Sequence, residues 1–268
     1  MDLRPIGIMD SGFGGLSTLR QAVKLLPCEN FLYYGDNANA PYGNRTQEDI
    51  QRLTVAAAKQ LEASGVKVIL IACNTATAAA LHVVQKAVDF PVVGICPAIV
   101  PAFAARKDGI VLALATQATI RMPAYQSLHA SLSQPEIVKD IGCPADIVRC
   151  VESGIRDNRI YIEILDQVLR PYHDAKVDGI VLGCTHYPFM ESAIREYARK
   201  HFKGRCEIFE GGKEAVTKLS NLLKKSRLEN NAGSAQVELT TSGDLKKAKK
   251  FIKNCFWNRN RFCEEKSL

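Results

Sequence analysis

The sequence predicts an α/β protein of two pseudo-symmetric halves, each built on a mainly parallel sheet, with a cleft between them. Three observations predict it. Short apolar runs alternate with helical patterns along the chain. The order of these units in the first half recurs in the second. Small polar residues and one cysteine stand at corresponding strand ends of both halves, where ligands of open parallel sheets bind.

The elements follow in order. IGIMD (6–10) is a strand that enters a glycine-rich turn, and STLRQAVKLL (17–26) is the helix after it. FLYYGD (31–36) is a second strand, followed by the loop NANAPYGNR (37–45). Thr46 caps a helix that ends at Gly65, because a hydroxyl accepts an unpaired N–H at the start and glycine tolerates the left-handed turn at the finish. VKVILIA (66–72) has the continuous apolar character of a strand covered on both faces. It runs into CNTATAAALHVVQKAV, a small-residue turn opening a helix, and PVVGI (91–95) is the fourth strand.

The second half repeats the plan. GIVLALA (109–115) leads through TQAT to the helix RMPAYQSLHASL (121–132), EIVKDIG (136–142) is a weaker strand, and 160–172 is helical. DGIVLG (178–183) runs into CTHYP and the helix FMESAIREYARKHF (189–202), and CEIFE (206–210) is the last strand of this half. The correspondence is position by position. Asp10-Ser11-Gly12 ends a strand as Thr116-Gln117-Ala118-Thr119 ends its counterpart, and Cys73-Asn74-Thr75 as Cys184-Thr185-His186.

Composition bounds the function classes. With 268 residues, 47% hydrophobic and 24% charged, the chain reads as an ordinary soluble globular protein. It contains no long uncharged apolar stretch and opens with no basic region followed by an apolar run, so no membrane association and a cytoplasmic location are expected. Its nine cysteines are an odd count and no pair has CxxC spacing, which argues against a disulfide framework or a structural metal site. The net charge of +7 is concentrated in the late segment LKKAKKFIKNCFWNRNR (245–261). No nucleic-acid-binding motif accompanies it, so it reads as a solvated helix face and tail, and no nucleic-acid partner is expected.

Two of the cysteines stand apart from the rest. Cys73 and Cys184 each follow a buried strand and precede a predicted helix, where a thiol meets the positive end of the helix dipole and unpaired N–H groups. Both influences favour the thiolate and are expected to lower the thiol pKa. Either cysteine alone reads equally as a packed core residue. Two at matching positions suit inversion of a carbon centre, in which a proton leaves one face and another returns to the opposite face. No dinucleotide fingerprint, no phosphate-binding loop and no recognisable pyridoxal-phosphate setting is present, so no cofactor is expected. A carbanion would then need the site's own donors, for which Asn74, Thr75, Thr116, Thr119 and Thr185 are placed. Asp10 and His186 are candidate partners of the thiols, although Asp10 also fits a helix cap and His186 a bonded core histidine. Tyr42 and Gly43, in a loop too polar for core, could present backbone N–H groups to a carboxylate.

DSGFGGL (10–16), GDNANAPYG (35–43), ACNTATA (72–78) and GCTHYP (183–188) together resemble the glutamate racemases of the aspartate/glutamate racemase superfamily, in that family's order and over nearly the whole chain. The resemblance implies two α/β domains, 1–97 with 211–268 and 98–210, the late segment returning to complete the first, with the active site between them. It implies interconversion of L- and D-glutamate without a cofactor or metal, in supply of D-glutamate to peptidoglycan. Cys73 then acts on the D-enantiomer and Cys184 on the L-enantiomer, and Asp10 and His186 assist. Asp36 and Glu152 match further acidic positions of the catalytic set. Asp10, Ser11, Tyr42, Gly43, Asn74, Thr75, Thr185 and His186 match substrate contacts, and Thr116 and Thr119 a pocket-lining TxxT. A homodimer is expected. The sequence departs from the family at Asn39, where an arginine is common, at Val100, where a lysine is frequent, and at EGGKEAV (210–216). The residues leave open another acidic amino acid such as aspartate as substrate, an inactive member acting as a binding protein, and a cysteine hydrolase using Cys184 and His186.

Overall fold

The computed structural model describes residues 2–255 and 262–265. The first half runs β1 (Ile6–Asp10), α1 (Leu16–Leu25), β2 (Phe31–Gly35), α2 (Gln47–Ala63), β3 (Val68–Ile71), α3 (Asn74–Ala87) and β4 (Val92–Gly94), and α4 (Ile99–Ala105) follows. The second runs β5 (Ile110–Thr116), α5 (Gln117–Arg121), α6 (Pro123–Ala130), β6 (Val138–Cys143), α7 (Asp146–Glu152), α8 (Asn158–Leu169), β7 (Val177–Leu182), α9 (Glu191–His201) and β8 (Glu207–Glu210). The chain closes with α10 (Gly212–Ser226), β9 (Val237–Thr241), α11 (Leu245–Cys255) and β10 (Phe262–Glu265).

Two parallel sheets result. One has the order β10-β9-β2-β1-β3-β4 and the other β6-β5-β7-β8. Set side by side, β2-β1-β3-β4 and β6-β5-β7-β8 are the same arrangement, so the repeat read from sequence is a repeat of topology. The inner strands of the first sheet are almost wholly apolar because helices cover both faces. β1, β2 and β3 are buried at every residue.

Local signals operate as their chemistry requires. The Thr46 hydroxyl accepts the Asp49 N–H at the start of α2, and Gly65 takes φ +76° just past its end. What the sequence reading lacked is the strand by which the late segment joins the first sheet. β9 pairs with β2 in register, Phe31 opposite Val237 and Gly35 opposite Thr241, which widens the first sheet. The apolar alternation of VELTT is too short to declare a strand beside the polar stretch before it. In the basic segment, α11 buries Ala248, Phe251 and Ile252 and turns Lys246, Lys247, Lys249 and Lys250 to solvent. That matches the solvated helix face expected there, while 256–261 lies outside the described residues. Among the described residues, no helix is long and apolar enough to cross a membrane.

Register decides what meets at the strand ends. Asp10 is opposite Gly35 and one step past the Met9–Ile71 pair, so the residues after β3 emerge beside Asp10. In the second sheet Thr116 is opposite Cys143, and Leu114 opposite Leu182. Thr116, Cys143 and Cys184 therefore leave their sheet on one edge.

Candidate active site

The two carboxyl edges enclose one cavity of about 250 Å³. Cys73 and Cys184 both line it, one from each sheet, together with Ser11, Tyr42, Gly43, Asn74, Thr75, Thr116, Thr185 and His186. Asp10, Asp36, Thr119 and Glu152 do not line it. They stand behind its walls, each hydrogen-bonded to a residue that does.

Cys73 is the N-cap of α3. Its sulfur accepts the Ala76 N–H at 3.4 Å, and its S–H donates to the Ser11 hydroxyl oxygen at 3.5 Å. The Ala76 N–H and the Ser11 hydroxyl can both stabilise a thiolate, but they do not win. Burial, and then the negative charge of Asp10, push the thiol up to about 12. The lowered pKa expected for this cysteine is thus corrected: taking a charged sulfur out of water outweighs one helix terminus and one hydroxyl. The helix-terminus influence expected at Cys184 is corrected as well. A 3-10 turn, Tyr187–Met190, separates it from α9, so no α-helix begins at this thiol.

The partner of Cys184 is a side chain. Its sulfur lies 3.6 Å from Nδ1 of His186, whose Nε2 donates to Glu152 Oε1 at 2.7 Å. Burial works against the imidazolium, yet Cys184 and Glu152 more than offset it, and His186 is held well above its ordinary value. Glu152 in turn accepts the Phe13 N–H at 2.7 Å and the Asn37 amide at 2.9 Å, both from the first half of the chain.

Asp10 is fully buried. One carboxylate oxygen accepts the Gly12 N–H at 2.9 Å and the other the Thr185 hydroxyl at 3.1 Å, a bond between the two halves. Burial raises its pKa, against the pull of His186. Thr75, Thr116 and Thr119 form a triangle of hydroxyls at 2.9–3.0 Å, again across the cleft, and Thr116 also caps α5. Asn74 Oδ1 is buried without a hydrogen-bond partner and lines the cavity, an acceptor left for a ligand.

Asp36 is placed differently from a proton-transfer group. It accepts the Tyr42 hydroxyl at 2.6 Å, the Ser242 hydroxyl at 2.6 Å and the Asn39 amide, and so fixes the loop that brings Tyr42 and Gly43 to the cavity. Asn39 thereby gives Asp36 a neutral partner where an arginine would give an ion pair. Val100 is 46% exposed on α4 and is not in the cavity wall.

Sequence reasoning passed over several site residues. Cys143 and Tyr187 line the cavity, and burial pushes the Cys143 thiol up to about 12. The register of β5 with β6 is what delivers Cys143, and register is not printed in a sequence. The glycines of DSGFGGL were a stronger missed signal. A Cβ on Gly12 would strike the Glu152 carboxylate, and one on Gly14 the His186 ring and Thr185 hydroxyl. Among the described residues no group of side chains could hold a metal ion.

The sequence model of the Asp/Glu/Hydantoin racemase family matches residues 6–219. A glutamate racemase of Clostridium perfringens is 38% identical over 242 residues, 90% of this chain and 88% of that protein. The crystal structure of glutamate racemase from Francisella tularensis in complex with D-glutamate is 28% identical, with a TM-score of 0.83 over 100% of this chain and 98% of that one. That of Escherichia coli glutamate racemase, in complex with L-glutamate and the activator UDP-MurNAc-ala, is 26% identical, with a TM-score of 0.83 over 99% and 98%. A family match over most of the chain, a relative of this identity and the same two-sheet fold agree: the chain belongs to the Asp/Glu/Hydantoin racemase family.

Proposed function

We propose that this protein interconverts L- and D-glutamate by a two-thiol mechanism. The observation that carries the reading is the placement of Cys73 and Cys184 at equivalent strand ends, both on the wall of one cavity. Curated relatives similar to this chain are glutamate racemases, and two of the similar structures hold glutamate of opposite hand.

The surroundings of the two thiols differ in a way that suits a start from L-glutamate. Cys73, pushed up to about 12, is a thiol near neutral pH and can deliver a proton. Cys184 faces His186 and serves as the base. In the L-to-D direction the Cys184 thiolate takes the α-proton, the electron pair stays on the α-carbon, and the Cys73 thiol protonates the opposite face. The reverse direction starts with the states exchanged, and Asp10 and His186 are the groups through which each thiol resets its proton. Asn74 Oδ1 accepts from the substrate ammonium. Thr75, Thr185 and the backbone around Gly43 donate to its carboxylates and to the charge that builds up on them. Glu152 orients His186, and Asp36 positions the Tyr42 loop.

The same reading treats the chain as two domains, 1–97 with 211–268 and 98–210, closing on the substrate. It places the enzyme in the cytoplasm as a homodimer that supplies D-glutamate to peptidoglycan. The test is circular dichroism of the reduced protein with L-glutamate or L-aspartate and no added cofactor. Decay of the glutamate signal alone, abolished by Cys73→Ala and by Cys184→Ala, is the expected result. Decay with aspartate alone would move the substrate, and near-normal turnover in either variant would overturn the two-thiol mechanism. Light scattering of the purified protein reads the dimer.

A further inference from the structure

The cavity that holds the thiols has no charged side chain in its wall except His186. A substrate with two carboxylates must nonetheless be drawn into it. The space continues outward into a second depression of about 620 Å³, and Gly43, Asn44 and Gln117 line both. This outer space is lined by two guanidinium groups, Arg45 and Arg121, and by no carboxylate.

The two cations differ. Arg45 is engaged: it donates to the Asn39 carbonyl at 2.8 Å and pairs with Asp49 at 2.7 Å. Its guanidinium is held in place, and its charge is partly balanced by Asp49, which Arg52 shares. Arg121, the last residue of α5, is exposed and has no hydrogen-bond or ion-pair partner among the described residues. It is one helical turn from Gln117 at the throat. An unbalanced cation beside a narrow, low-dielectric opening focuses its field along that opening and raises the local concentration of anions.

We propose that Arg121 is the charge that captures the carboxylate-bearing substrate at the mouth of the active site and feeds it past Gln117 and Asn44 to the thiols. The inference rests on the reading of the cavity as the site for an acidic amino acid. Arg121 touches no reacting atom, so its contribution is to association and leaves the chemical step alone.

Two measurements separate this proposal from that reading. Alkylation of Cys184, followed by mass spectrometry, is compared for anionic iodoacetate and neutral iodoacetamide. Arg121→Gln is expected to lower the iodoacetate-to-iodoacetamide rate ratio about threefold at low salt, Arg121→Glu to lower it further, and Arg121→Lys to keep it. The difference fades as salt approaches ~0.5 M, where the Debye length is only a few ångström. A merely structural effect would slow or speed both reagents together. An unchanged ratio in both Arg121→Gln and Arg121→Glu overturns the proposal, whatever the racemase assay shows. In that assay, Arg121→Gln is expected to lower kcat/KM about threefold at low salt with kcat intact. A wild-type protein that does not racemise glutamate counts against the function reading instead, and the alkylation ratio still decides the role of Arg121.

Discussion

Nε2 of His186 donates to Oε1 of Glu152 at 2.7 Å, and this contact turns Nδ1 of the ring towards Cys184. Glu152→Gln should therefore damage the chemistry of one thiol and spare the other. Enantiomers have equal free energy, so any variant loses the same kcat/KM in both directions, and racemisation rates alone cannot assign the damage. Exchange of the α-proton with solvent deuterium can. Glu152→Gln should slow exchange into L-glutamate about 100-fold, the low end of what a positioned acid or base is worth, and leave exchange into D-glutamate through Cys73 near normal. Equal slowing of both exchanges would sink the assignment of Glu152 to Cys184.

The same pair has a stability signature. His186 is held protonated well above its ordinary 6.5, because Cys184 and Glu152 outweigh its burial. A raised folded-state value means the stabilisation is fully present below about pH 6.5 and is lost as pH rises through the raised value. The stability advantage of wild type over His186→Gln should accordingly shrink with rising pH in urea titrations. An advantage that grows with pH would refute it.

Cys73 makes a second pH prediction. Its thiol is pushed up to about 12 by burial first and by Asp10 second. Alkylation by iodoacetamide should climb about tenfold per pH unit through pH 9 and beyond without levelling, since only the thiolate reacts. Asp10→Asn removes the second cause and leaves the first, so the curve should move to lower pH. A plateau below pH 9 in the wild type would show that the helix terminus wins after all.

That last contest shows where sequence reading stops. The strands, the repeat and the identity of both thiols were legible, because apolar runs, glycine turns and matched CNT and CTH segments are local patterns. The balance of forces on Cys73 was not, since a helix N-terminus can be read from sequence but depth of burial and the approach of Asp10 arise from packing. The strand β9 escaped for a related reason: its pairing partner β2 lies far back in the chain. Asp36 and Glu152 were marked as acidic positions of the catalytic set, and the fold shows one anchoring a loop and the other a histidine.

Gly14 is a test of the close approach. A methyl group there would meet the His186 ring and the Thr185 hydroxyl. Gly14→Ala should cost about 1–3 kcal/mol, as overpacking does, and should also lower kcat, because relief moves a ring that faces a reacting thiol. Thermal unfolding and turnover measured together check it. A stable variant with full kcat would mean the cleft opens freely at this point.

The threonine triangle ties the halves at the cavity wall. Thr75 and Thr116 are 2.9 Å apart, and each also meets Thr119. Thr75→Val and Thr116→Val each leave one side of the triangle standing, only the double variant leaves Thr119 without a threonine partner, and a double-mutant cycle should give a coupling of about 0.5–3 kcal/mol in stability. Additive losses would indicate that water already serves these groups.

Lys67 and Glu29 offer a prediction on folding alone, away from the cavity. Their 2.6 Å ion pair is shut off from solvent, with side chains 0% and 3% exposed. Lys67 also donates to the Asp2 carbonyl, and Glu29 accepts the Asn230 N–H, so the pair clasps the chain start and the 230 loop to the lower end of the first sheet. Desolvation cancels much of the attraction between two buried charges, so the pair need not be a large net stabiliser. Breaking one side is another matter, because it leaves the other charge buried and unpaired. Lys67→Met should cost about 3–5 kcal/mol in guanidinium unfolding. The double variant Lys67→Met with Glu29→Gln should cost less than Lys67→Met alone, since it removes the stranded carboxylate. A double variant worse than the single would show that the hydrogen bonds of Glu29 to the 230 loop, and not its charge, hold this end together.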